Sequence, residues 1–307
     1  MINRDLIRLK VVQIIYAYYQ NGDRTIDNAE KELMFSLSKA YDLYNLLLLL
    51  MVDINKRASL RVEVEERKNA RLNTGVVVNR KFVDNKFINQ LESNKMLQDF
   101  QENKKKNWDN EENFLRTLLE QIQQSEIYTE YMAGGESTYE EDRELWRKIY
   151  KNFICKNEDL DAVLEEMSLY WNDDKEIVDT FVLKTIKRFE ESNGADQELL
   201  PEYKDNEDME FASRLLRRSI LNGEYYQHLM GEHSKNWELN RLAFMDVVIM
   251  QIALAEITSF PNIPISVSIN EYVEIAKLYS TPKSGSYVNA MLDHIAKALI
   301  KEKKLIK

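Results

Sequence analysis

Arg4 and Arg8 stand one helical turn apart near the start of the chain, with Lys10 close behind and Asp5 as the opposing charge. Two guanidinium forks on one helix face can grip phosphates, or they can solvate a helix end. A second constellation lies near the other end, where Lys283, Ser284 and Ser286 fall in the loop STPKSGSY ahead of a final apolar-periodic segment. A cation, two hydroxyls and the amides of a helix N-terminus together make an anion-friendly surface that suits a phosphate. Tyr16 and Tyr287 belong to the same two regions; each either stacks an unpaired base or packs into the core. Five more lysines, Lys297, Lys301, Lys303, Lys304 and Lys307, close the chain with only Glu302 against them.

Covalent and metal chemistry find little support beside this. The one cysteine, Cys155, sits in the apolar-periodic stretch IYKNFICKN with no histidine within seventy residues, which describes a buried inert thiol. His228 and His233 are five apart, about 140 degrees around a helix, and His294 stands alone. No Gly-rich strand-to-helix turn offers to cradle a nucleotide. We expect no catalytic residue, no cofactor and no metal.

Composition limits what the phosphate-binding groups can achieve. The formal net charge of -10 makes the whole molecule a poor generic polyanion binder, so any nucleic-acid site has to be a local basic patch. A single cysteine fits a reducing compartment, and the N-terminus lacks the basic-then-apolar layout of a signal peptide; both point to the cytoplasm. The run LYNLLLLLMVDI, residues 43–54, is shorter than the ~20 residues needed to span a bilayer and reads as a helix buried in protein.

Eight glycines and four prolines in 307 residues leave too little turn chemistry for hairpins, and an all-α fold follows. Helical periodicity runs from Leu6 to Tyr19 and stops at Gly22. A second helix begins near Asp27 and continues for thirty-odd residues, either as a protruding arm or with an unseen break. Breaks fall in the polar tract at residues 101–113, around Gly134 and Gly135, and at residues 191–208. In SFPNIPISVSINE, Ser268 and Glu271 form a capping box, with Val267 and Tyr272 as a staple. The helix that follows ends at Ser280 because Pro282 lies two residues beyond, and Ser284 or Ser286 caps the last one.

The C-terminal stretch, with Ile263-Pro264, Asn270-Glu271, Glu274-Ile275-Ala276-Lys277, Ser284 and Tyr287-Val288-Asn289-Ala290, resembles the second half of the NusB family of bacterial antitermination factors. Arg4, Arg8, Gln13 and Tyr16 match the spacing of that family's first helix, and FASRLLRRSILN, residues 211–222, resembles its third. The resemblance covers about 1–45 and 208–303. It implies an all-helical NusB-like double bundle formed by 1–45 plus 208–307, with 46–207 as a helical insertion. It also implies binding of boxA-like single-stranded leader RNA together with the NusE-type small-subunit ribosomal protein, within the RNA polymerase antitermination complex, and no membrane. Carried over residue by residue, the RNA face is Arg4, Arg8, Tyr16, Lys283, Ser284 and Tyr287, to which the charge pattern adds Lys10. Asp5 and Leu6 stand where the family is more basic.

Two other readings compete. The acidic total and thinned arginines fit a NusB-fold interaction scaffold with weak or no RNA binding. NusB-like domains are also found fused to RNA cytosine methyltransferases, but this chain has no Pro-Cys nucleophile, since Cys155 follows Ile154.

Overall fold

A computed structural model describes residues 1–22, 25–105, 107–171, 173–234, 242–281 and 283–305. Pro282, Lys307 and residues 235–241, which include Trp237, lie outside the described residues. Among the described residues there are fourteen α-helices and no strand: α1 Arg4–Gln20, α2 Ile26–Leu72, α3 Lys86–Glu92, α4 Lys95–Lys104, α5 Glu112–Gln123, α6 Glu126–Ala133, α7 Tyr139–Ile149, α8 Glu158–Met167, α9 Lys175–Arg188, α10 Asn206–Leu221, α11 Gly223–His233, α12 Phe244–Ser259, α13 Ile265–Tyr279 and α14 Ser284–Lys301.

The chain divides into two compact units. A terminal unit holds residues 2–38 and 203–307; a central unit holds residue 1 and residues 39–202. The sequence reading set these boundaries at 45/46 and 207/208.

In the terminal unit, α12 is the core. Every residue from Val248 to Ile257 is buried, and Asp246 with them. A helix apolar on all sides must be wrapped on all sides, and α1, α10, α11, α13 and α14 pack around it. Gln251, fully buried on α12, donates to the Tyr19 hydroxyl at 2.7 Å and the Ser219 carbonyl at 2.8 Å, and accepts from Gln227 at 3.0 Å. Gly223 opens α11 at this junction because a Cβ there would meet Tyr19 Oη at 2.7 Å and Gln251 Nε2 at 2.9 Å.

α2 is unbroken over 47 residues, and its stretch from residue 39 onward forms the core of the central unit. Its most apolar window is 78% buried inside protein, whereas Leu60, Val64 and Leu72 in its later turns are exposed. Tryptophans from other segments close on it: Trp108 donates to the Leu46 carbonyl at 2.9 Å and Trp171 to the Lys39 carbonyl at 2.7 Å. Of the tract 101–113, read from the sequence as a loop or linker, only residues 105–111 lie between α4 and α5, and they carry this fully buried tryptophan. Cys155 lies half-buried in the same unit, and burial pushes its thiol up to about 11, which keeps it protonated.

Asp53, on α2, yields a prediction. Its Oδ2 is buried without a hydrogen-bond partner among the described residues, and Lys56 Nζ is 3.9 Å from Oδ1. Burial pushes the carboxyl up to about 6, against Lys56 and with Asp109. The folded state therefore holds this proton where the unfolded chain releases it, so stability falls as pH rises from about 4 to 6. Asp53→Asn should flatten that fall and raise stability at pH 7 by roughly 2 kcal/mol. Urea titrations of both proteins at pH 4.5 and pH 7 check it; equal differences at the two pH values would reject it.

Candidate nucleic-acid interface

α1 begins where Asn3 caps it, accepting from the Leu6 amide at 3.0 Å. From Leu6 to Val12 every residue of this helix is buried, which carries basic side chains inward along with apolar ones. Arg8 is only 3% exposed and Lys10 only 1%. The attraction for Arg8 is Glu256, on α12 and fully buried. Arg8 Nε donates to Glu256 Oε2 at 2.9 Å and Nη2 to Oε1 at 3.0 Å, a bidentate fork. Ser268 Oγ donates to Oε1 at 2.7 Å and Tyr272 Oη to Oε2 at 2.9 Å. A carboxylate has about four lone-pair positions, and all are filled. Burial, then the Glu256 charge, holds the Tyr272 hydroxyl well above its ordinary range, so it stays a donor.

This network corrects two expectations. Arg8 and Lys10 do not present their charge to solvent; in Arg8's case the reason is the buried Glu256 carboxylate, whose one ion pair among the described residues is with Arg8. Ser268 does not cap a helix: α13 starts earlier, at Ile265 after Pro264, and the Ser268 hydroxyl serves Glu256 instead.

Arg4 remains at the surface, its side chain 39% exposed. It lies 3.4 Å from Asp208 and 3.9 Å from Glu207, with its guanidinium 5.1 Å over the Phe211 ring. These acidic neighbours temper its pull on a phosphate.

The loop ahead of α14 is at the other end of α12. Ser284 is the first residue of α14, with Lys283 at the cap position and no side-chain cap. Its buried hydroxyl donates to Asp246 Oδ2 at 2.8 Å and accepts from the Thr281 amide at 3.2 Å. Asp246 thus takes the hydroxyl that would have capped the helix, and Ser284 faces inward. Tyr287 is half-buried, and burial followed by the Asp246 charge raises its hydroxyl. Lys283 and Ser286 stay exposed. Two residues before Asp246, Phe244 is 40% exposed and 5.5 Å from the ring of Tyr16. Gln13 donates to the Tyr279 hydroxyl at 2.7 Å, tying the later turns of α1 to the end of α13.

Tyr16, Lys283, Ser284 and Tyr287 therefore gather around the start of α12, with Phe244 as an aromatic that sequence reasoning passed over. Arg4 does not join them: twelve residues of α1 separate it from Tyr16, about 18 Å. The organisers Glu256 and Gln251 were also missed; a glutamate and a glutamine inside the apolar run of α12 were the available signal. His294 is not alone, since its ring lies 5.1 Å from that of His233. Among the described residues no three acidic, histidine or cysteine side chains group as a metal site.

A model of the NusB family matches residues 176–297. That span begins in α9, inside the stretch that the sequence reading gave to the insertion. "Transcription antitermination protein NusB" of Salinibacter ruber is 36% identical over 120 residues, covering 37% of this chain and 75% of that protein. The protein of the same name from Geotalea daltonii is 33% identical over 132 residues, 43% of this chain and 88% of its own length. That of Chloroherpeton thalassium is 43% identical over 84 residues, 27% and 40% respectively. No solved structure matches the chain.

Removing one partner of a buried ion pair strands the other charge, at about 3–5 kcal/mol. Arg8→Met and Glu256→Gln should each lower the thermal midpoint sharply, whereas Arg4→Ala, at an exposed pair, should cost less than about 1 kcal/mol. Circular-dichroism melts decide; an Arg8→Met protein as stable as Arg4→Ala would show that the network contributes nothing.

Proposed function

The chain belongs to the NusB family, and on that premise we propose that it is a transcription antitermination factor that binds boxA-like single-stranded leader RNA together with the NusE-type ribosomal protein. The observation that supports the antitermination role is the shared name of relatives such as that of Geotalea daltonii, 88% of whose length this chain covers; the RNA and the ribosomal protein are what the family resemblance implies. The chain would act in the cytoplasm, as one component of the RNA polymerase antitermination complex and by binding alone, without chemistry.

The geometry supports a particular mode of binding. At the start of α12, the exposed Lys283 supplies a cation, while Tyr16, Phe244 and Tyr287 offer partly exposed rings on which unpaired bases stack. Arg4, tempered by Asp208 and Glu207, supplies a weaker phosphate contact further along α1. Ser284 contributes by holding the loop to Asp246. With Arg8 and Lys10 turned inward, RNA affinity depends on few surface cations, and the ribosomal protein supplies the remainder.

A second reading, an interaction scaffold with little RNA binding, is favoured by that same burial and by the net charge of -10. A titration of labelled boxA-like RNA, with and without purified NusE-type ribosomal protein, separates the two. On the first reading, Arg4→Ala with Lys283→Ala weakens RNA binding roughly tenfold at low salt and reduces the slope of log affinity against log salt by about 1.4, at ~0.7 per neutralised phosphate. Binding of the ribosomal protein with no RNA bound under any condition would favour the scaffold.

A further inference from the structure

Arg4 on α1 and Arg214 on α10 are linked through a pair of aromatic rings in the terminal unit. The Arg4 guanidinium lies 5.1 Å over Phe211, the Phe211 and Phe260 rings are 4.9 Å apart, and the Arg214 guanidinium lies 4.9 Å over Phe260. Arg4 and Arg214 are therefore within about 15 Å of each other, those three separations taken end to end. Arg218 follows one turn later on α10. Beyond it opens a cleft of about 450 Å³ lined by Arg214, Arg218, Lys304, Thr258 and Ser259, with no carboxylate among its described lining residues.

Two of the three cations in this cleft, Arg214 and Arg218, make no ion pair among the described residues. Arg214 donates from Nη2 to the Ser259 carbonyl at 2.7 Å and is exposed. Arg218 is exposed and makes no ion pair or side-chain hydrogen bond among the described residues. Between them in sequence, Arg217 is by contrast satisfied by Asp27 at 2.6 Å and by Glu30. Lys304 pairs with Glu302 at 2.7 Å, and Glu232 is a second acidic neighbour. Tyr225, 48% exposed, also lies within electrostatic reach of Lys304.

We propose that this cleft is a second phosphate-binding surface, which takes the phosphodiester backbone of single-stranded RNA along α10 and continues the track that starts at Arg4. Exposed arginine forks suit phosphate oxygens bidentately. An exposed tyrosine near one of the cations of such a groove can stack a base while the groove follows the backbone, as single-stranded nucleic acid is bound; an acidic peptide has no use for the ring. The proposal rests on the reading of the chain as an RNA-binding protein and adds a surface distinct from the loop at Lys283.

The test uses the full chain and a fluorescently labelled single-stranded RNA of about fifteen nucleotides, followed by anisotropy across a salt series. Arg214→Gln with Arg218→Gln should weaken binding roughly tenfold at low salt and reduce the salt slope by about 1.4, at ~0.7 for each phosphate no longer neutralised. Arg67→Gln with Arg71→Gln, the same charge change on exposed arginines of the central unit, should leave the slope unchanged. The single variant Arg218→Gln should melt as the parent does and still show a slope smaller by about 0.7, which excludes misfolding as the cause. If the parent binds RNA and Lys283→Ala weakens it, but the Arg214/Arg218 variant keeps the parent's slope, the second surface is wrong and the wider reading stands. If the parent binds no RNA, both fall. If polyglutamate displaces the RNA as well as polyuridylate of equal charge does, the cleft belongs to an acidic protein partner instead.

Discussion

The terminal unit depends on one carboxylate. Glu256 lies near the C-terminal end of α12 and is fully buried, where an unpaired charge would be intolerable. Its four hydrogen bonds come from three groups: the Arg8 fork on α1, and the Ser268 and Tyr272 hydroxyls on α13. Each donor is thereby committed to one position, and with it the register of its helix against α12. Apolar packing alone tolerates sliding and repacking. The network specifies which turn of α1 faces which turn of α13. Gln251, just over one turn earlier on α12, does the same for α1, α10 and α11 through Tyr19, Ser219 and Gln227.

That commitment has a functional consequence. A basic first helix would be a natural phosphate-binding element, but two of its three cations are drawn inside, Arg8 by Glu256 and Lys10 by a helix that is buried over seven consecutive positions. What remains outside is Arg4, moderated by its acidic neighbours and laid on Phe211. Surface cations are instead supplied from α10, from the loop at Lys283 and from the turn after α14. Of these, Arg214, Arg218 and Lys304 gather in one cleft with no carboxylate among its described lining residues, which is what a local polyanion site requires in a chain of net charge -10.

The central unit follows a different logic. Its organising element is a long apolar helix whose surroundings are provided by short helices and loops, pinned by tryptophan N–H groups that donate to carbonyls of α2. Trp108 shows why polarity alone misjudges a segment. Every other residue of the tract QENKKKNWDNEEN is polar, and the one buried indole nonetheless fixes the loop to the core.

The sequence by itself determined the helical class, through scarce glycine and proline and sustained 3.6-residue periodicity. It determined several of the breaks, among them those at Gly22, around Gly134 and Gly135, and at Ser280, where local rules for turn residues hold. Motif residues such as Ile263-Pro264 and Tyr287-Val288-Asn289 were enough to suggest the family. What only the tertiary structure decided was the use of individual polar groups. Ser268 and Ser284 both satisfy local capping rules, yet buried Glu256 and Asp246 claim their hydroxyls. Arg4 and Arg8 are equivalent on a helical wheel, yet one is at the surface and the other sealed. The physical reason is that capping and helix-face periodicity act over a few residues, whereas the demand of a buried carboxylate for donors acts between segments some 250 positions apart, Arg8 and Glu256, and outweighs the local preference.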